Sequence, residues 1–363
     1  MASRIRPLFM RALRAAGSLL LAGALLAGSA SALAGDRKNF TLAWSIYAGW
    51  MPWPYAAQSG ILKKWADKYG ITIDVKQLDY IESINQYTAG QFDACLVTNM
   101  DALTIPAAGG VDTSIVIVGD YSNGNDGLVM KGSDKLADIK GKKVNLVELS
   151  VSHYFLARAL DSVGLSEKDV KVVNTSDADI VAAWGTPDVT VAAAWNPQLA
   201  EMKKQPGTFE VFDSSKIPGE ILDTLAINTA TLKANPEFAR ALTGAWFETL
   251  ALMSKGDAAA TAAKSAMAQL SVTDLAGYEA QLATTKLFYT AQETLDFTTA
   301  PALVSSNDLV RKFSFDHGLL GEGAQSVDAI GIAFPGGKLL GDAKNVKLRF
   351  DDTYVKLAAE GKL

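Results

Sequence analysis

Aromatic side chains concentrate in one uncharged stretch, residues 44–55, which reads W-S-I-Y-A-G-W-M-P-W-P-Y. It holds three of the seven tryptophans and two of the ten tyrosines of the chain. Two prolines, a glycine and the lack of a helix or strand period predict an ordered loop. Such rings can bind a small molecule or can close one end of a hydrophobic core. Both interpretations stay open here, and the candidates for binding are Tyr47, Trp50 and Trp53.

Carboxylates without basic partners are the second chemical signal. In open α/β sheets, ligands bind at the carboxyl ends of strands. The stretches that follow the predicted strands contain twelve acidic residues but no lysine or arginine. These stretches are 45–59, 78–88, 98–112, 119–130, 148–157, 174–200 and 217–231. A buried oxyanion needs cationic groups or many N–H donors, whereas ring faces and carboxylates attract a flat cation. The sequence therefore favours a guanidinium-like ligand; urea fits less completely, and an anion held by helix N-termini remains an alternative.

Individual side chains in these stretches are candidate ligands. Asp101, two residues after Asn99, either contacts the ligand or caps a helix. Glu148 follows a strand and either contacts the ligand or is solvated, and Ser150 is expected to cap the next helix. Trp195 follows another strand and either closes over the ligand or packs in the core. Ser150 itself is also a candidate ligand, and the other candidates are Asp79, Asn99, Tyr121, Asn123 and Asp223.

The elements that would position these residues alternate between β-rich runs and helical stretches, which is typical of βαβ units and of a mostly parallel sheet. The predicted strands are 40–44, 72–77, 94–97, 114–118, 127–131, 143–147, 170–173, 189–193 and 209–212. Beyond residue 235 the chain is predicted to be almost purely helical, with helices over 236–254 and 257–270. The sequence therefore predicts an α/β fold with a helical C-terminal extension.

Two turn-rich passages, 119–126 and 217–228, predict crossings between two α/β lobes. Lobe 1 is then 36–125 together with 226–363, and lobe 2 is 126–225. The ligand site is expected in the cleft between them.

The first 34 residues predict a cleaved secretory signal, because four arginines precede a short apolar run and Ala32-Leu33-Ala34 forms a small-x-small cleavage site. The remainder carries 30 basic and 39 acidic side chains, which argues against nucleic acid or an anionic membrane as a partner. We expect a soluble periplasmic protein. Cys95 is the only cysteine and is expected in the core.

Four segments resemble the periplasmic solute-binding proteins of the nitrate, sulfonate and taurine type. They are Y-A-G-W-M-P-W at 47–53, Y-T-A-G-Q-F-D-A at 87–94, L-A-D-I-K-G-K-K-V at 136–144 and D-V-T-V-A-A-A-W-N-P at 188–197. Their order and spacing resemble the family over most of the chain, although each motif alone is weak. The resemblance implies a two-lobed Venus-flytrap fold of type II and delivery of one small ligand to the permease of an ABC importer. It also implies a monomer.

A closer resemblance is to the subgroup associated with urea carboxylase and guanidine utilisation. It rests on 47–53, on T-N-M-D-A-L at 98–103 and on G-D-Y-S-N-G-N-D at 119–126. The resemblance implies guanidine, a guanidinium compound or urea as the ligand. The alternatives are a sulfonate, taurine or nitrate receptor and, after these, a protein or enzyme for a thiamin-pyrimidine-type ligand.

Catalytic motifs are not evident in the sequence. The two histidines are far apart, and no paired metal-ligand spacing, phosphate-binding glycine loop or G-x-S-x-G elbow occurs. The sequence therefore predicts a binding protein that needs no cofactor and no metal.

Overall fold

Runs of β-branched and other apolar residues form two β-sheets in a computed structural model, which describes residues 37–363. The predicted signal segment, residues 1–34, lies outside the described residues. Residues Asn39–Leu363 form one compact unit. The strands, in chain order, are β1 (Asn39–Trp44), β2 (Thr72–Gln77), β3 (Ala94–Thr98), β4 (Thr113–Ser122), β5 (Asp126–Lys131), β6 (Lys143–Leu146), β7 (Lys171–Asn174), β8 (Val191–Trp195), β9 (Thr208–Asp213), β10 (Leu222–Asn228), β11 (Thr285–Leu287), β12 (Gly331–Ala333), β13 (Leu339–Leu340) and β14 (Val346–Phe350).

Helices cover the sheets and form much of the C-terminal third. The α-helices are α1 (Pro52–Gln58), α2 (Ile61–Lys68), α3 (Tyr80–Thr88), α4 (Asn99–Ala102), α5 (Val151–Asp161), α6 (Ile180–Trp184), α7 (Gln198–Lys203), α8 (Thr229–Ala234), α9 (Pro236–Met253), α10 (Ala258–Leu270), α11 (Leu275–Leu282), α12 (Ala291–Thr299), α13 (Pro301–Asp316) and α14 (Thr353–Ala359). In the described part of the chain, none of these helices combines the length and the apolar character that crossing a bilayer requires.

The larger sheet has the order β13-β12-β14-β4-β10-β3-β1-β2, with β11 paired to β4. β1 runs parallel to β2 and β3. In contrast, β10 runs antiparallel to both β3 and β4. The predicted mostly parallel arrangement is therefore wrong for this sheet, because β10 enters its centre in the opposite direction after the chain returns from the smaller sheet.

The smaller sheet has the order β7-β6-β8-β5-β9. β6 is parallel to β7 and β8, and β5 is antiparallel to β8 and β9. The chain passes from the larger sheet to the smaller one between β4 and β5 and returns between β9 and β10. The smaller sheet has its own core, where Phe155 and Leu160 of α5 are fully buried. Trp195, by contrast, packs into the core of the larger sheet, so the two halves are in contact at the end of β8.

The aromatic stretch is helical rather than a loop, which corrects the prediction. A single 3₁₀ turn, Ala48–Trp50, precedes α1, and Pro52 occupies the first position of that helix. Proline fits there because the first-turn N–H groups have no intrahelical partner. The helix has no apolar period because Pro52, Trp53, Pro54 and Ala56 are all buried.

Several strands escaped prediction. Residues 217–228 contain β10, whose buried residues include the acidic Asp223, a composition that does not indicate a strand. The C-terminal region contains the predicted helices α9 and α10 but also β11–β14. These strands are two to five residues long, too short to show a period of two.

Candidate functional site

A small cavity lies between the two sheets, where several strands end. Its volume is about 20 Å³. This volume exceeds the roughly 10–15 Å³ that one water molecule needs. A solute of a few non-hydrogen atoms matches this size. The lining residues are Tyr47, Trp50, Tyr80, Thr98, Asp126, Val151, Trp195, Ile221 and Asp223.

Four aromatic rings form a continuous wall of this cavity. The Tyr47 and Trp50 ring centroids lie 5.2 Å apart, edge to face. Trp50 lies 5.9 Å from Tyr80, and Tyr80 lies 5.6 Å from Trp195. These rings come from the turn after β1, from the start of α3 and from the end of β8, so both sheets contribute to the wall. A ring face that is turned towards a bound cation attracts it.

Trp195 joins the two sides of the cavity. Its indole N–H donates to the Ile46 carbonyl, with 3.1 Å between nitrogen and oxygen. The Ala48 N–H donates to the Asn196 carbonyl at 3.2 Å. The end of β8 is therefore hydrogen-bonded to the aromatic stretch of the larger sheet, and Trp195 forms part of the cavity wall.

Three carboxyl groups form an acidic floor: Asp126 and Asp223 line the cavity, and Asp120 lies next to Asp223 without lining it. Asp223 at the start of β10 is directly opposite Asp120 of β4 in the strand register. Asp126 begins β5, and all three residues are at most 5% exposed. The Tyr47 hydroxyl donates to Asp120 Oδ1 at 2.7 Å. Among the cavity-lining residues of the described chain there is no lysine or arginine, so no cationic side chain compensates these acids directly.

Burial raises the pKa of each of these acids. It raises the pKa of Asp126 to about 6, although the hydrogen bond with the Ser122 side chain acts to lower this pKa. Burial and the charges of Asp120 and Asp126 raise the pKa of Asp223. Burial also raises the pKa of Asp120, although the Tyr47 hydroxyl acts in the opposite direction. The pKa values of Asp120 and Asp223 are therefore both above the ordinary range of a carboxyl group, because burial disfavours the charged form of each acid.

Gly49 allows the close approach of these groups. A Cβ atom at this position would lie 2.7 Å from Asp120 Oδ2 and 2.5 Å from Tyr47 Cε1. Both distances are shorter than van der Waals contact. Glycine is therefore the residue that lets the turn after β1 pass over the acidic floor.

Asp101 lies behind the aromatic wall and links the two sides. Its buried Oδ2 accepts hydrogen bonds from the Tyr80 hydroxyl at 2.6 Å, the Thr98 hydroxyl at 3.0 Å and the Val151 N–H at 3.3 Å. Val151 is the first residue of α5, which packs on the smaller sheet. Burial raises the pKa of Asp101 to about 6, despite these three donors. The alternative in which Asp101 caps a helix is wrong, because Thr98 is the capping residue of α4.

Comparison with known proteins identifies the family. The family model described as "NMT1/THI5 like" matches residues 70–260, which is more than half of the chain. The protein belongs to the NMT1/THI5-like family. The taurine-binding periplasmic protein of Escherichia coli (strain K12) is 26% identical over 140 residues, which are 38% of this chain and 44% of that protein. The chain spans between 35% and 44% of the lengths of the curated relatives that it matches.

Solved structures show the fold of this NMT1/THI5-like protein. The alkanesulfonate-binding protein SsuA from Xanthomonas axonopodis pv. citri, bound to MOPS, has a TM-score of 0.66 at 16% identity and covers 79% of this chain and 96% of its own. The aliphatic sulphonate-binding protein SsuA from Escherichia coli has a TM-score of 0.65 at 17% identity and covers 79% and 95%. The predicted fold class is therefore confirmed: this is a mixed α/β periplasmic-binding-protein fold of type II with two sheets. The division into a lobe of residues 36–125 and 226–363 and a lobe of residues 126–225 stays a prediction.

The structure brings four of the predicted binding residues of this NMT1/THI5-like protein to the cavity wall. These are Tyr47, Trp50, Trp195 and Asp223. Asp101 is one side chain removed, behind Tyr80. Ser150 caps α5 as predicted: its hydroxyl accepts the Ser152 N–H at 3.1 Å and donates to the Val147 carbonyl at 2.7 Å.

The other predicted residues lie outside the cavity. Asp79 and the exposed Glu148 line a separate groove between the lobes. Trp53 stacks on Trp246 in the core, with 5.0 Å between centroids. The side-chain oxygen of Asn99 accepts a hydrogen bond from the Leu222 N–H in the second crossing, at 3.1 Å. Tyr121 packs against Phe288 and Phe297, and the exposed Asn123 donates its backbone N–H to Thr284.

Five lining residues were not among the candidates: Tyr80, Thr98, Asp126, Val151 and Ile221. A usable signal existed for Tyr80, which follows β2 by three residues and is the first residue of α3. Asp126 ends the first crossing and directly begins β5. Val151 and Ile221 carry no chemical signal in the sequence, because they are ordinary apolar residues.

Proposed function

We propose that this protein is the periplasmic solute-binding component of an ABC importer and that it captures guanidinium or a small guanidinium compound between its lobes. The observation that carries the proposal is the cavity itself: four aromatic rings stand over buried carboxyl groups, and its lining in the described chain includes no basic side chain. The family and the shared fold support a receptor rather than an enzyme. The resemblance to the guanidine-associated subgroup supports the choice of ligand.

A planar cation satisfies each part of this cavity. A carboxylate can accept two parallel N–H bonds from a guanidinium group. Each ring face contributes about 0.5–2 kcal/mol to the attraction of a cation, and more when water is excluded. The cation also supplies the charge that the acidic floor lacks, which reduces the cost of burying Asp126 and Asp223. Urea has the same planar shape but supplies no charge, so we expect it to bind more weakly.

An anion fits the cavity poorly. Sulfonate or nitrate would lie beside Asp126 and Asp223, which repel it. The N-terminus of α5 is the nearest set of backbone donors, but its first N–H groups are already used, by Asp101 at Val151 and by Ser150 at Ser152. The names of the relatives favour sulfonate or taurine as the alternative ligand, and a thiamin-pyrimidine-type ligand is larger than the cavity.

The proposed cellular role follows from the family. A soluble periplasmic receptor, exported by the predicted signal segment, would deliver the solute to a membrane permease and act as a monomer. Lobe closure would trap the solute, since Trp195 and the residues bonded to it come from opposite lobes.

Calorimetry on one purified sample tests this function. Guanidinium chloride, urea, taurine and sodium nitrate are titrated separately at equal ionic strength. We expect guanidinium to bind most tightly, urea more weakly and the two others without detectable heat. Tighter binding of taurine or nitrate than of guanidinium would refute the ligand assignment but leave the receptor function intact, whereas binding of none of these solutes would leave the proposed function without support.

A further inference from the structure

A cluster of metal-ligating side chains lies away from the cavity. It consists of His153 on α5, Glu167 in the short turn before β7, and His317 directly after α13. One ligand atom from each of these side chains lies within 4.8 Å of the other two. None of the three residues lines the cavity, so the cluster is separate from the proposed site for guanidinium.

The cluster connects elements of the two sheets. α5 packs in the core of the smaller sheet through Phe155 and Leu160, and Glu167 lies between α5 and β7 of the same sheet. α13, which ends just before His317, contacts α4, and α4 directly follows β3 of the larger sheet. An ion held by all three side chains would therefore join the two halves of the molecule.

At His317 a lone pair faces a carboxylate. Its Nδ1 lies 2.8 Å from the Phe313 carbonyl oxygen, which only accepts, so Nδ1 carries the ring proton. Nε2 of the neutral ring then bears a lone pair and lies 2.5 Å from Glu167 Oε2. Two acceptors at this distance need a positive charge between them, which a second proton or a metal ion can supply. A ring that donates from Nδ1 to a backbone carbonyl is also the usual arrangement of a histidine that binds a metal through Nε2.

His153 decides between the proton and the metal ion. Its side chain is only 7% exposed, and its Nε2 contacts Glu167 Oε1. This nitrogen nevertheless has no hydrogen-bond partner among the described residues. A proton between His317 and Glu167 leaves the buried nitrogen of His153 unsatisfied, which is unfavourable. A metal ion between the three side chains binds both imidazoles and the carboxylate at once.

The ligand set indicates zinc. Two imidazoles and one carboxylate bind Zn²⁺ in tetrahedral sites whose fourth position is open to water. Glu167 and His317 are partly exposed, so the ion and this water can enter from their side. Ligand atoms around tetrahedral zinc lie about 3.3 Å apart, because each bond is about 2.0–2.2 Å long. The Glu167 carboxylate therefore has to move back by about 1 Å when zinc binds, which its flexible side chain permits.

One contact of His153 also has to change. The Leu149 N–H donates to His153 Nδ1 at 3.1 Å, which places the ring proton on Nε2. Zinc on Nε2 requires the proton on Nδ1, so the Leu149 N–H has to turn away. Leu149 has a φ of 62°, in the left-handed region that is unfavourable for leucine, and it is 46% exposed. A change in its backbone conformation would therefore relieve strain and give the N–H access to water.

We propose that His153, Glu167 and His317 form a zinc site that connects α5 of the smaller sheet with α13. Zinc binding moves the ring proton of His153 from Nε2 to Nδ1 and releases the Leu149 N–H. The site does not depend on which solute the cavity binds. The sequence did not indicate it, because the two histidines are far apart in the chain.

Calorimetry with zinc chloride tests the site. The purified protein is freed of metal with a chelator, which is then removed, and is titrated at about pH 7.5 without guanidinium. We expect one zinc ion per chain with a Kd of about 1 µM or below. Magnesium and calcium should not bind, because they prefer oxygen ligands. A Kd above about 100 µM would overturn the proposal.

Substitutions locate the bound ion. His317→Gln and Glu167→Gln each remove one ligand from a partly exposed position, and zinc should bind at least about tenfold more weakly to each variant. Glu322→Gln, at an exposed position, is the matched control and should bind zinc like the parent protein. Equal zinc affinity in His317→Gln and in the parent protein would overturn the proposal, because the ion would then be bound elsewhere.

Nitrogen NMR of the unmodified protein gives a second measurement that needs no variant, because the signals of the ring nitrogens show which of them are protonated or bound to a metal. With zinc, we expect Nε2 of both histidines to be bound to the metal and Nδ1 of both to be protonated, and the Leu149 amide signal should shift. Ring signals that do not change at saturating zinc, or zinc bound through Nδ1 of His153, would overturn the proposal.

Discussion

Replacing Asp126 by asparagine tests the role of the cavity acids directly. The change keeps the size of the side chain and removes one buried negative charge from the cavity wall. A hydrogen bond to a charged group contributes about 1.5–3 kcal/mol, and each 1.4 kcal/mol changes Kd tenfold. We therefore expect Asp126→Asn to weaken guanidinium binding by about 10- to 150-fold.

The same substitution should have the opposite effect on the empty protein. Burial raises the pKa of Asp126 from 3.8 to about 6, so the folded state favours the protonated form. With respect to this group, the empty protein is then most stable below about pH 4. Its free energy of unfolding falls by about 3 kcal/mol as the pH rises through 6, because each pKa unit corresponds to about 1.36 kcal/mol. The Asp126→Asn variant has no carboxyl group that ionises at this position, so its free energy of unfolding does not fall in this way at neutral pH. Its free energy of unfolding should exceed that of the unmodified protein by up to about this amount.

Calorimetry and chemical denaturation at about pH 7.5 measure both quantities. Asp79→Asn is the matched control, because Asp79 lies in the separate groove, and its affinity for guanidinium should be unchanged. Urea is the matched ligand, and its affinity should change by less than about threefold because it carries no charge to lose. Unaltered guanidinium binding by Asp126→Asn would refute the reasoning, and so would an equal loss for guanidinium and urea.

Three further predictions concern closure and pH. Trp195→Phe keeps a ring but loses the hydrogen bond from the indole N–H to the Ile46 carbonyl, which contributes about 0.5–1.5 kcal/mol. Guanidinium should therefore dissociate about two- to tenfold faster in stopped-flow measurements. An unchanged dissociation rate would contradict the closing role of Trp195. Asp101→Ala leaves three buried donors without their acceptor, and each unsatisfied donor costs about 1–3 kcal/mol. Thermal unfolding should therefore occur at a lower temperature. An unaltered unfolding midpoint would contradict the proposed link between Tyr80, Thr98 and Val151. Guanidinium affinity should fall as the pH drops through about 6, where Asp126 becomes protonated. Calorimetry in buffers of different ionisation enthalpy should show that binding releases protons near this pH. Proton uptake on binding would refute the assignment.

Much of the architecture could be predicted from the sequence because most strands of the two lobes are continuous apolar runs bounded by turns. The strand over residues 72–77 was predicted with its observed limits, and Cys95 is buried in β3 as expected. β10 could not be predicted because its identity as a strand depends on partners far away in the chain. Asp223 tolerates a central strand only because that position opens into the cavity.

The candidate site was predictable in kind but less so in detail. The sequence has no basic residue in the stretches after the predicted strands, and the described residues that line the cavity include no lysine or arginine. The boundary between two helical segments decides the rest: Trp50 ends the 3₁₀ turn and lines the cavity, whereas Trp53 in α1 stacks on Trp246. Neither orientation is encoded in the local pattern, since both tryptophans are buried. Distinguishing a binding ring from a packing ring required the positions of α9 and β8.

The two chain crossings bring three acids to the place where the two sheets are connected. β4 and β10 are neighbours and lead directly into the passages between the lobes, and the Ser122 and Ser214 hydroxyls, one beside each passage, lie 2.6 Å apart. Asp120, Asp126 and Asp223 therefore lie beside the two passages that connect the sheets. A positive charge bound there, as the proposed ligand would supply, would lower the repulsion among these acids at the place where the chain joins the two halves of the molecule.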